Sequence, residues 1–193
     1  MTFRAGLLDG RRIVVGGGDG DAIPAGLRGL GAWADSLSDQ VVLDDDAVAA
    51  WVGERLPLHG LVFDARPSFG HGGRDGLTAA LRLAWLATRA VSTGALIPGD
   101  GPGKVTLIAP SPAAGPHAEA ARAGLENLAR TLSVEWARFG VTSVAVCPGA
   151  RTGEDELATL VSFLQSPAGD YYSGCRFDLG AALGSARVEP ALR

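Results

Sequence analysis

Short apolar runs alternate with longer amphipathic stretches along almost the whole chain, and this alternation constrains the fold more than any other feature. Residues 12–15, 40–43, 60–63, 104–108, 141–147 and 174–179 read as strands, with 32–37 a poorer candidate. Residues 22–30, 47–52, 77–92, 118–138 and 155–165 read as helices, and 64–76 as a Gly-rich loop. Pro24 argues that the first helix begins late, because proline is tolerated only near a first turn. Strands joined through helices run parallel, so the pattern predicts an α/β fold. The expected form is a Rossmann-like doubly wound parallel sheet with helices on both faces. No repeat or linker interrupts the pattern. Residues 1–193 therefore read as one domain, long enough to bury a sizeable core.

Composition removes several functional classes. No run of about 18 apolar residues is free of charge, so no membrane span is expected. The N-terminus enters the first strand without a signal-peptide core, which predicts a cytoplasmic protein. A net charge of −4 gives no reason to expect nucleic acid as a partner. Cys147 and Cys175 lie in or beside apolar runs with no CxxC spacing and read as buried reduced thiols. His59, His71 and His117 are far apart in sequence, so no metal site is expected. Lys104 is the only lysine, and no lysine follows a tyrosine by four positions.

The run His117-Ala118-Glu119-Ala120-Ala121-Arg122-Ala123-Gly124-Leu125-Glu126-Asn127-Leu128 continues as a helix toward Trp136. Val141 to Gly149 then form a strand and turn. This stretch resembles the region of the short-chain dehydrogenases/reductases that carries Tyr-x-x-x-Lys. Aligned on Leu125-Glu126-Asn127-Leu128, the tyrosine position falls on Ala118 and the lysine position on Arg122. The resemblance continues in family order. Gly10 to Ile23 looks like the TGxxxGIG turn, with Gly16 and Gly20 on its first two glycines, Val15 for the threonine and Ala22 for the third glycine. Leu43-Asp44 matches the strand ending in an aspartate near the adenine, and a plain helix N-cap is the alternative for Asp44. Leu61 to Arg66 occupies the place of Leu-Val-Asn-Asn-Ala-Gly. The catalytic asparagine falls on Ala80, and the catalytic serine on Pro110 with Ser111 its neighbour.

The resemblance implies an NAD(P) cofactor bound at Gly16, Gly20 and Asp44, weakly or not at all. Asp21 brings a carboxylate to the place where a pyrophosphate would meet a helix N-terminus. The turn reads as a damaged nucleotide site, with a working site as the alternative. None of the four catalytic positions, Ala80, Pro110, Ala118 and Arg122, can hand on a proton, and the guanidinium keeps its own because its pKa exceeds about 12. His117 and Ser111 are the substitutes nearby, as acid/base and oxyanion donor; a capping or loop role is the alternative for His117. Arg122 could hold a ribose hydroxyl. Tyr171 and Tyr172 read as packing residues. The chain is short between 35 and 41, where the family places a helix beside the cofactor ribose, and after Gly149, where it places a lid.

Helices 77–92 and 118–138 are apolar on more than one face. In the family the corresponding helices pair subunits. The resemblance therefore implies a catalytically impaired subunit that assembles with an active homologue or with itself through these helices. The alternative is an NAD(P)-dependent oxidoreductase acting on an alcohol/ketone pair with substitute catalytic groups.

Overall fold

A computed structural model describes residues 3–18 and 20–180. Its centre is a six-stranded, all-parallel sheet in the order β2-β1-β3-β4-β5-β6. The strands are β1 (Arg12–Gly16), β2 (Trp33–Leu37), β3 (Gly60–Asp64), β4 (Gly103–Ile108), β5 (Val141–Cys147) and β6 (Arg176–Asp178). The helices are α1 (Ala22–Gly29), α2 (Asp39–Val42), α3 (Asp45–Gly53), α4 (Arg66–Phe69), α5 (Gly73–Val91), α6 (Ala118–Glu135) and α7 (Glu154–Gln165). Alternate residues of each strand feed opposite faces. Val14, Leu61, Phe63, Val105 and Leu107 join α3, α5 and α6 in one core. Ile13, Val15, Val62, Ile108 and Val146 join α1 and α7 in the other. The doubly wound sheet expected from the alternation is what forms.

Several local expectations are overturned. Residues 40–43 are not a strand: Asp39–Val42 is helical, with Ser38 at the N-cap accepting from the Val41 N–H at 3.4 Å. Only Ser38 and Asp39 separate β2 from Gln40, whereas a parallel neighbour needs a crossover of roughly a dozen residues. The apolar pair serves a helix instead, with Val42 buried against α3 and α5. Residues 32–37, the poorer candidate, do form a strand. The first helix does start at Ala22, as its expected span has it, with Pro24 in the opening turn, so the proline does not delay it. α5 starts four residues before Leu77, where Gly76 lies against the Phe69 carbonyl, so close that a Cβ would stand 2.2 Å from it. Past Val91, α5 widens into a π turn, Ser92–Leu96. Cys147 is buried, and burial raises its thiol pKa, but Cys175 is partly exposed. Tyr172 packs between Phe163 and Phe177, whereas Tyr171 is 91% exposed.

Among the described residues no helix is long and apolar enough to cross a membrane. α5 and α6 pack on each other, with Gly124 admitting Leu81; a Cβ at Gly124 would stand 2.8 Å from the leucine Cδ2. Part of their expected outer apolar face is consumed there. Trp85 and Val134 remain exposed.

Candidate functional site

β1→β2 runs outward one way and β2→β3 returns to the far side of β1, so the sheet reverses direction between β1 and β3. Open α/β sheets hold ligands outside the carboxyl ends of the strands at such a point. A cleft of about 440 Å³ lies there, lined by Gly17, Gly18, Ser36, Ser38, Gln40 and Pro67 among others. Its lining comes from the carboxyl end of β2 and from the segments that follow β1, β2 and β3. Sequence reading missed Ser36, Ser38, Gln40 and Pro67; the signal they carried was position, at or just past the carboxyl ends of adjacent strands.

The expected motif residues are placed differently. Gly16 is buried in β1 under the Phe63 ring, while Gly17 and Gly18 line the cleft. Gly17 has φ +88°, and a Cβ on it would stand 2.0 Å from the Asp64 carbonyl oxygen, so the turn is packed hard onto the end of β3. Gly20 is exposed with open space around it. Asp44 does not end a strand. It is the N-cap of α3, where Oδ1 accepts from the N–H of Asp46 at 3.0 Å and Ala47 at 2.9 Å. It is not among the cleft residues.

The second half of the rim is occupied by the chain's own guanidinium groups. Arg122, on α6, is 3% exposed. Its Nη1 donates to the carbonyl of Pro110 at 2.9 Å and to that of Pro148 at 2.8 Å. Its Nη2 lies 3.4 Å from Asp178, and its Nε lies 3.5 Å from Glu119 without hydrogen-bond geometry. One buried side chain thus ties the ends of β4, β5 and β6 to α6. Both Nη1 hydrogens are committed to backbone carbonyls, and the group is held inside the cluster rather than presented at the cleft. Arg176 completes the cluster, bridging Asp178 at 2.5 Å and Glu126 at 2.9 Å. Burial tends to raise the Asp178 pKa, but hydrogen bonds from Arg176 and the Gly180 N–H, with the Arg122 charge, bring it below the usual range.

Arg66, where the resembling motif has glycine, builds a second bridge. Its Nε and Nη2 grip Asp64, with Nη2 at 2.7 Å, and Nη1 reaches Glu154 at the start of α7 at 2.5 Å. Burial disfavours its charge, yet the hydrogen bonds to Glu154 and Asp64 outweigh that and raise its pKa. The Arg66 hydrogen bond holds Glu154 below the ordinary carboxylate range. Glu154 lies 88 residues from Arg66, a pairing that no local pattern announces.

The remaining candidates are spent locally. Ala80 is fully buried in α5, and Ala118 is buried at the start of α6. His117 sits at the α6 N-cap position in a left-handed conformation, φ 67°, exposed and with no side-chain capping bond. Ser111 Oγ accepts from the Ala113 N–H at 3.3 Å. Among the described residues, no group of three His, Cys, Asp or Glu side chains could hold a metal ion.

This architecture is similar to that of a citronellol catabolism dehydrogenase from Pseudomonas aeruginosa PAO1. The TM-score is 0.75 and the identity 26%, over 93% of this chain and 97% of that one. The fold is that of the short-chain dehydrogenases/reductases. A short-chain dehydrogenase from Mycobacterium smegmatis gives a TM-score of 0.72 at 22% identity, covering 92% and 94% of the two chains. A Bacillus cereus enoyl-acyl carrier protein reductase, solved with NADP+ and an indole naphthyridinone, gives 0.69 at 15%, covering 90% and 96%. No family model and no curated protein matches the chain. A dinucleotide fits this rim only in part. The cleft past β1 and β2 can take an adenosine-sized group. Asp21 at the head of α1 and the closed Arg122 cluster do not suit the pyrophosphate and nicotinamide.

Proposed function

We propose that this chain is a short-chain dehydrogenase/reductase homologue without its own catalysis, acting as a structural or regulatory subunit. It assembles with an active homologue, or with itself, through helices 77–92 and 118–138. The observation that supports this reading is the state of Arg122 and Ala118. The residue at the lysine position is enclosed and committed to two backbone carbonyls, and the residue at the tyrosine position is a buried methyl. Moving hydride to or from a carbonyl carbon requires a proton to move at its oxygen. General acid–base help of that kind is typically worth about 10²–10⁴-fold. The exposed Trp85 and Val134, on the two helices, support the assembly.

The cleft past β1 and β2 favours a second reading, an NAD(P)-dependent oxidoreductase acting on an alcohol/ketone pair with substitute groups. Co-expression with reductases encoded beside it in its native host, followed by size-exclusion chromatography, tests the first reading. A mixed oligomer is expected, and a stable lone monomer overturns it. Titration with NADH and NADPH, followed by tryptophan fluorescence and ketone turnover, tests the second. Turnover by the isolated chain at an ordinary enzymatic rate overturns the first reading and establishes the second.

A further inference from the structure

At the opposite, amino-terminal ends of the strands, the segments entering β3 and β4 line a cavity of about 500 Å³. Small-molecule pockets are roughly 300–1,000 Å³. Pro57, Leu58, Ala95, Pro98 and Pro102 form apolar walls, and Gly94, Gly99 and Gly101 leave other parts of the wall as bare backbone. His59 is the one imidazole in the lining, and Asp100 the one carboxylate.

Two features set this cavity apart from an ordinary gap between loops. The first is the π turn at the end of α5. Its closing bond runs from the Ile97 N–H to the Ser92 carbonyl at 2.8 Å, and the widened turn carries Gly94 and Ala95 into the wall. Such turns are rare and gather at functional sites. The second is the fixation of His59. Its N–H donates to the Arg12 carbonyl at 2.8 Å, its carbonyl accepts from the Lys104 N–H at 3.2 Å, and its Nδ1 accepts the Arg12 N–H at 3.0 Å. A neutral imidazole that accepts at Nδ1 carries its proton on Nε2. Burial first, then the Arg11 charge, lowers its pKa, which favours the neutral form. Nε2–H is therefore the donor this ring has left to offer.

The geometry points to a second small-molecule site here, for a planar, largely apolar molecule with one hydrogen-bond acceptor, such as a ring carbonyl, placed to receive the His59 Nε2–H. The walls select apolar surface, the glycine backbone admits a flat face, and the fixed imidazole donor selects an acceptor. Asp100 at the lining disfavours an anionic ligand. The site is independent of the rim and of the subunit reading above.

Coumarin, flat and apolar with one lactone carbonyl, is the probe. Full-length wild type, Gly101→Leu and His59→Asn are titrated by ligand-observed NMR, with thermal melts to check folding. Gly101 belongs to the lining, and a Cβ there meets nothing within 4 Å, so leucine adds bulk at the wall without a clash at its Cβ. The amide oxygen of H59N keeps an acceptor for the Arg12 N–H and removes the Nε2–H; the amide NH2 stands nearer the backbone, at the place of the ring Cδ2, and does not reach as far. Saturable binding to the wild type, its loss in G101L and a weakening of about fivefold or more in H59N are expected. In 15N-histidine-labelled wild type, coumarin shifts the His59 Nε2 resonance; this readout stands even where H59N fails to fold. The inference is overturned by no saturable binding up to about 5 mM coumarin, by unchanged affinity in G101L, or by an unmoved His59 resonance.

Discussion

Replacing Arg122 by methionine is expected to unfold the rim although it touches no ligand. The guanidinium is 3% exposed and donates to the carbonyls of Pro110 and Pro148 at 2.9 and 2.8 Å. Hydrogen bonds from a charged donor contribute about 1.5–3 kcal/mol each. Methionine fills similar volume and relieves the cost of burying a charge, which offsets part of that loss. Exchanging a whole buried ion pair for apolar residues can be nearly neutral. Here only one partner is removed, and two carbonyls lose their shared donor. Asp178 is not orphaned, because Arg176 still holds it at 2.5 Å. The two lost hydrogen bonds, less that offset, leave a net loss of about 2–4 kcal/mol, equivalent to a fall of roughly 10 °C in Tm for a domain of this size. Arg122→Lys reaches fewer acceptors and is expected to cost about half as much. Urea and thermal unfolding followed by circular dichroism measure both, with Arg130→Met as the control. Arg130 is 65% exposed, and its loss is expected to stay within about 0.5 kcal/mol. An Arg122→Met variant within about 1 kcal/mol of wild type refutes the claim that this side chain ties the three strand ends together.

Two further outcomes concern the same rim. Gly17→Ala is expected to cost about 3 kcal/mol or more, because φ is +88° and the Cβ would meet the Asp64 carbonyl. Gly20→Ala, with nothing within 4 Å, is expected to be nearly silent; equal urea midpoints for the two variants contradict this. Glu154 carries a pKa lowered by Arg66, so its contribution is present above the unfolded carboxylate value of about 4.3 and fades as pH falls through the lower folded value. The stability gap between wild type and Glu154→Gln, followed by urea midpoint from about pH 6 downward, is expected to close below about 4.3. The gap is small throughout, because Glu154 is 56% exposed on its side chain. A gap that stays constant into acid shows that the Arg66 bridge is not what lowers it.

The candidate site was less legible than the fold, and particular residues show why. Asp44 followed an apolar run, Gln40 to Leu43, that satisfied a strand pattern, yet its carboxylate ended as the cap of α3. Val41 and Val42 carry β propensity, but two residues cannot return the chain to the far end of the sheet, so connection length overruled propensity. Gly16 and Gly20 matched motif spacing, while Gly17 holds the positive φ and Gly17 and Gly18 face the cleft. Arg122 was identified by position. Its enclosure was invisible, because its acceptors Pro110 and Pro148 lie 12 and 26 residues away.

Periodicity in the chain determined the parallel α/β sheet, five of its six strands closely and the sixth in outline, since apolar alternation is a local property that survives in one dimension. The identities Ala80, Pro110, Ala118 and Arg122, on which the proposed loss of catalysis rests, are likewise read from the sequence alone. What occupies the rim was decided only by the tertiary structure. Arg66 with Glu154, and Arg122 with Asp178, are partners chosen by proximity across strand ends, and that proximity exists only once the sheet has brought residues 56 to 88 apart in sequence to hydrogen-bonding distance.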